Sequence, residues 1–105
     1  MKEWDVYLAD VPFDDCPISK LRPVVILDHN NYTVGCLKMT RQPPRVGEYV
    51  LQKWKEAGLH KETTVRISKR LKLKRQNLKK QIGELHIIDI IEIQKHLFYK
   101  GNQSS

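Results

Sequence analysis

Residues 22–27 read Arg-Pro-Val-Val-Ile-Leu. Four apolar residues, three of them β-branched, follow a proline that a helix interior would not tolerate. A short unbroken apolar run of this kind predicts a strand over 23–27 covered on both faces, with Arg22 standing at its mouth. Its surroundings read as β too. Upstream, Glu3–Val11 alternates, with Trp4, Val6 and Leu8 on one side and Asp5, Tyr7 and Ala9 on the other, which predicts a half-buried strand. Residues 12–20, with Pro12, Asp14, Asp15 and Pro17, read as the loop between the two. Downstream, His29-Asn30-Asn31 predicts a turn, and Tyr32–Thr40 the returning strand of a hairpin.

Further along, Gln42-Pro43-Pro44-Arg45 breaks the pattern. Val50, Leu51, Trp54 and Ala57 then recur at three- and four-residue steps before Gly58, which predicts a short helix with a glycine C-cap. Thr63–Ile67 and Leu71–Leu73 read as short strands. Ile87, Ile90, Ile91 and Leu97 mark the apolar stripe of a closing helix that stops near Gly101. The chain has 105 residues, room for one domain; we place that domain at 1–101 and a polar tail at 102–105. The expected fold is mainly β with short helices, closing as a partly open barrel.

Several function classes fall away early. No apolar run approaches the roughly 18–20 residues of a membrane span, and the N-terminus lacks a basic region followed by an apolar stretch, so a cytoplasmic protein is expected. Two cysteines, Cys16 and Cys36, are too few for a disulfide scaffold or a closed zinc site and read as small buried or half-buried thiols. His29, His60, His86 and His96 are scattered, with no pair at the spacing that puts two ligands on one helix face. Neither a metal nor a cofactor is expected.

Charge is more informative. The formal net charge of +7 is uneven: residues 1–28 sum to −3 and the rest to +10. Thr63–Gly83 carries eight basic side chains and no acid. Such a field suits a polyanion, since each phosphate contact also releases counterions. Lys72, Lys74 and Arg75 sit in its middle.

Five segments together resemble a known family. "FDDCPISKLRPVVIL" (13–27) resembles the F-x-D-x-x-x-S-K-x-R-P-x-x-[VI]-[VIL] segment of the MazF/PemK/Kid group of toxin–antitoxin toxins. "WDVYLADV" resembles that family's first strand, usually written G-D-[IV]-x-x-[VA]-[DN], and "LKMT" (37–40) its strand ending in threonine. "LQKWKEAGLHKETTVRISKRLKL" and "QIGELHIIDIIEIQKHL" resemble its L-x-x-W-x-x-A-G-L and terminal I-G-x-L segments. The matches run in the family's order over about residues 4–97. The resemblance implies an SH3-like barrel, a homodimer, a metal-independent endoribonuclease acting on single-stranded RNA, and a cognate antitoxin that blocks the RNA groove. It places the active-site arginine at Arg22 and the threonine at Thr40, with the arginine of the V-R pair at Arg66. Lys20, Arg41 and Ser68 join Arg66, Lys72, Lys74 and Arg75 as expected RNA contacts. The chain departs from the family pattern at Ser68, where an aspartate is common, at Lys38-Met39, where a proline and an aliphatic are usual, and in the loop at 17–20.

Cutting RNA without metal requires the ribose 2′-OH to attack the adjacent phosphorus, with a proton acceptor, a proton donor and cations facing the crowded phosphorane. Arg22 can donate bidentately to phosphoryl oxygens, and the Thr40 hydroxyl can bond the same oxygens. Guanidinium is a poor acid, so Arg22 serves stabilisation first. The base is not identified by the sequence. Two rivals stand beside this reading: a non-catalytic relative that binds RNA or antitoxin, and a topoisomerase-inhibiting toxin of the same fold, against which the polar "GNQSS" end counts.

Overall fold

The computed structural model describes residues 1–12 and 18–103, with side chains as far as Phe98. The expected loop at 13–17, including Cys16, lies outside the described residues. Strand β1 (Asp5–Pro12) pairs antiparallel with β2 (Ser19–His29), from Val6 opposite Val25 to Pro12 opposite Ser19. Val24, Val25, Ile26 and Leu27 are all buried, so this apolar run is covered on both faces, as expected. The strand nevertheless starts four residues before Pro23. Ser19–Arg22 are exposed and carry no apolar pattern; the ladder to β1 holds them extended.

Strand β3 (Thr33–Thr40) returns beside β2. The Asn30 side chain makes the turn, its Oδ1 accepting the N–H groups of Tyr32 and Thr33, each at 2.8 Å. β3 also pairs with a later strand, β5 (Thr64–Lys74), which corrects the two short strands expected there: they are one. Leu37 lies opposite Arg70 but Lys38 opposite Arg66, so Ile67–Lys69 bulge out of the ladder and interrupt the alternation. The two-residue β4 (Tyr49–Val50) closes one edge. At the other edge β6 (Leu78–Glu84) pairs with β1. The sheet order is β4-β5-β3-β2-β1-β6, and its two edge strands are not paired with each other, so the sheet is not closed.

Each face of this sheet has its own core. Val6, Val25, Leu27, Leu37, Met39, Val65 and Ile67 face Ile93 of the α-helix α1 (Ile87–Gln103), which ends two residues past Gly101. Ala9, Val24, Ile26, Val34, Cys36 and Leu73 fill the opposite, inner face. Trp4 and Trp54 are half-buried against the first core. Among the described residues no helix is long and apolar enough to cross a membrane.

The short helix expected over 50–57 is not there. Residues 54–58 form a turn flanked by bends at 52–53 and 60–61, in which one bond of α-helical span, Ala57 N–H to Lys53 O at 3.2 Å, precedes Gly58. Two turns are too short to hold a helix by propensity alone, and tertiary contacts decide the path instead. Gly58, at φ +89°, lies against β6 so closely that a Cβ there would stand 2.0 Å from Ile82 O. A Cβ on Gly83 would meet Ala57 O at 2.2 Å. Glycine is required on both sides of that backbone crossing.

Candidate active site

Strand alternation and pairing decide which side chains meet. Ala9, of the inner core, lies opposite Arg22, and Val24, of the same core, opposite Lys38. Lys38 in turn lies opposite Arg66, and Thr40 opposite Thr64. Arg22, Lys38, Thr40 and Arg66 therefore share the sheet face turned away from α1. Extending the β2–β3 register two residues beyond Val24 and Lys38 sets Arg22 across from Thr40. Both border one cavity of about 260 Å³, lined also by Leu8, Leu21, Pro23, Met39 and Arg41. A second cavity of about 100 Å³ shares Leu8, Pro23 and Arg41 with it and adds His60 and Lys61.

The donors there are poised. Arg22 is exposed and makes no hydrogen bond or ion pair among the described residues. Thr40 Oγ1 accepts the N–H of Gln42 at 3.2 Å, which fixes the hydroxyl while leaving its proton to donate. Arg66 is placed differently. Its Nε lies 3.5 Å from Glu48 Oε2, with only 15% and 6% of the two side chains exposed. Glu48 is held from its other oxygen by the Arg45 N–H at 2.9 Å. Arg66 thus already has an anion, and Nε lacks a well-aligned hydrogen bond.

The remaining expected contacts divide into two groups. Lys20, opposite Val11, is exposed on the β2 extension, two residues from Arg22. Arg41 is exposed at the rim of both cavities. Lys72 and Lys74 are far from Thr40 along β5, but the curl of the sheet returns them to β2: they line a cavity of about 340 Å³ with Pro12 and Ser19. Ser19 and Arg22 are three residues apart, roughly 10 Å of strand. Ser68 is exposed in the bulge. Arg75 ties the β2–β3 turn, its Nη1 donating to Asn30 O at 3.0 Å and lying 3.5 Å from His29 Nδ1. Among the described residues no three His, Cys, Asp or Glu side chains gather as a metal site requires.

The model of a family described as the PemK-like, MazF-like toxins of type II toxin–antitoxin systems matches residues 2–98. The chain belongs to this toxin family. Three solved structures share the PemK/MazF fold with it. One is an endoribonuclease from mycobacterial species, 16% identical, with a TM-score of 0.72 over 92% of this chain and 86% of that one. The second is an endoribonuclease in complex with its cognate antitoxin, also mycobacterial, 15% identical, at 0.71 over 92% and 90%. The third is the Mycobacterium tuberculosis toxin MazF-mt6, 19% identical, at 0.69 over 88% and 90%. At these identities the likeness is one of fold. No functionally curated protein matches the chain in sequence.

Two members of the polar face escaped the sequence reading. Glu48 lies in a stretch without alternation, and only the fold brings it to Arg66. Lys38 was visible as a departure from the family pattern, a charged residue inside the apolar strand Val34–Met39. That anomaly was the available signal.

Proposed function

We propose that this PemK/MazF-like toxin is a metal-independent endoribonuclease that cleaves single-stranded RNA and is silenced by a cognate antitoxin. The observation that carries the reading is the pairing of Arg22, which has no partner among the described residues, with a Thr40 hydroxyl free to donate, at one cavity on neighbouring strands. The neighbours' own descriptions as endoribonucleases, one bound to its antitoxin, support it.

In this reading a phosphodiester sits at the cavity of Arg22 and Thr40. Arg22 and Thr40 donate to its non-bridging oxygens, and both bonds strengthen as charge builds on the phosphorane. The ribose 2′-oxygen attacks phosphorus and expels the 5′-oxygen, leaving a 2′,3′-cyclic phosphate and a 5′-hydroxyl. DNA lacks that nucleophile and is not cut. Lys20, Arg41, Lys72 and Lys74 carry the flanking backbone by charge, as single-strand binders do. Arg66 and Ser68 border the path, and Arg75 adds its charge beyond Lys74. The protein acts in the cytoplasm as a homodimer of single-domain subunits spanning 1–101.

Incubation with a long single-stranded RNA in the presence of chelator tests this directly. We expect fragments with 5′-hydroxyl ends. Products with 5′-phosphates, or a strict need for magnesium, would overturn the mechanism. RNA binding without cleavage would establish the non-catalytic alternative.

A further inference from the structure

A lysine stands where the sheet should least tolerate one. Lys38 is half-buried in mid-strand between Leu37 and Met39, both fully buried, and β3 lies between β2 and β5 rather than at an edge. Its cross-strand partner on β5 is Arg66, and like charges facing each other on a sheet are destabilising. The carboxylate of that neighbourhood, Glu48, is taken by Arg66. Lys38 itself makes no hydrogen bond or ion pair among the described residues. A local rule is thus broken with no compensating contact, the pattern expected of residues kept for function.

Its position gives the function. Lys38 and Thr40 are two residues apart on one face, roughly 7 Å. Arg22 lies on the diagonal from Lys38, on the order of 7–8 Å away. A phosphate held by Arg22 and Thr40 is then within reach of a four-carbon stem rooted beside that pair. Of the two kinds of cation on this face, a guanidinium as a class keeps its proton far more tightly than an ammonium, so lysine is the better acid. An alkoxide leaving group is far more basic than either amine or water.

Building on the endoribonuclease reading, we propose that Lys38 is the proton donor to the leaving 5′-oxygen. The 2′-oxygen forms its bond to phosphorus as its proton passes to water. The bond from phosphorus to the 5′-oxygen breaks, and that oxygen takes a proton from Nζ of Lys38. The ammonium becomes an amine and is recharged from water. No electron is transferred, and the departing group leaves as a neutral hydroxyl.

The test uses an RNA oligonucleotide carrying one mapped cleavage site, made with either the natural 5′-oxygen or a 5′-sulfur at the scissile bond. A thiolate leaves without protonation. Lys38→Met keeps the apolar stem, and Lys38→Arg keeps the charge but withholds the proton; thermal melting of both variants checks folding. On the 5′-oxygen substrate each should lose about a hundredfold to ten-thousandfold in rate. On the 5′-sulfur substrate both should stay within about threefold of the parent protein if proton donation is what they lack. Equal losses on the two substrates, or no loss on either, would overturn the assignment. Absence of cleavage by the parent protein would instead remove the endoribonuclease reading beneath it.

Discussion

Asp89 offers the sharpest test of how this site is held. The side chain is fully buried in the first turn of α1. Its Oδ1 accepts the Tyr49 hydroxyl at 2.5 Å and the Gln52 N–H at 2.9 Å, and its Oδ2 accepts the Lys53 N–H at 2.9 Å. One carboxylate therefore joins the helix to β4 and to the turns that follow it. In Asp89→Asn one oxygen becomes an amide NH₂, and in either flip that donor faces a backbone N–H. The loss is at least one bond to a charged acceptor, about 1.5–3 kcal/mol, plus the cost of opposed buried donors, about 1–3 kcal/mol. We expect about 3 kcal/mol in urea unfolding and, for a domain of this size, a melting temperature lower by roughly 12–24 °C. A double-mutant cycle with Tyr49→Phe should show coupling on the order of 1 kcal/mol. The phenol carries a pH signature as well. Burial first, then the bond to Asp89, pushes its ionisation above the ordinary tyrosine range. A raised folded pKa means this stabilisation is complete below about pH 10 and is lost as pH rises further. Tyr49→Phe should flatten the alkaline fall in stability. A loss under about 1 kcal/mol for Asp89→Asn, or zero coupling, would refute the reasoning.

Other outcomes follow from the same geometry. Arg22→Ala should slow RNA cleavage about a hundredfold to a thousandfold with an unchanged melt, and Thr40→Val should slow it less, since it removes one neutral donor and keeps the β-branched shape; initial rates decide both. Neutralising Lys72 and Lys74 together should flatten the salt dependence of single-strand binding by up to about 1.4 in log–log slope, read by titration at several salt concentrations. Arg75→Ala should instead lower stability by loosening the Asn30 turn, which thermal melting would register. Cys36 is buried, and burial first, then the Asp28 charge, pushes its thiol up to about 12. Alkylation near pH 8, mapped to the Cys36 peptide, should therefore need unfolding; fast native labelling would contradict its placement.

What the chain discloses by pattern and what it conceals divide along physical lines. The strand over 23–27 was legible because burial on both faces forces an unbroken apolar run. Its extension through Ser19–Arg22 was not, because backbone pairing with β1 leaves no mark on exposed side chains. β6 was missed for a related reason: an edge strand reading Leu-Lys-Lys-Gln-Ile-Gly-Glu buries little, and its lysines suit an edge that must not pair further. The helical spacing of Val50, Leu51, Trp54 and Ala57 is genuine, yet Val50 belongs to β4, and Leu51, Trp54 and Ala57 are brought to one core without a helix. Arg22 and Thr40 were reached through resemblance, whereas the ion pair of Arg66 with Glu48 depends on a register that no local signal encodes.

Trp4 shows how such local rules are overridden. It sits at φ +74°, a left-handed conformation costly to a bulky side chain by about 1–2 kcal/mol, at the position where the family's first strand is usually written with glycine. Two backbone bonds clamp it: its N–H donates to Ile26 O at 2.7 Å, and its carbonyl accepts the Leu85 N–H at 3.0 Å. The indole packs on the core beneath α1, where burying a large aromatic surface outweighs the strain. Those clamps join the start of β1 to the middle of β2 and to the chain just before α1. The polar face needs such support, because Arg22, Lys38 and Arg66 crowd one surface, where Glu48 is paired with Arg66, and repel one another. The core beneath α1 and the Asp89 bonds lie on the opposite side of the sheet, so these stabilising groups are separate from the charges that repel. Arg22 and Lys38 can therefore stand without a partner among the described residues, their charge available to the phosphate of the proposed reaction.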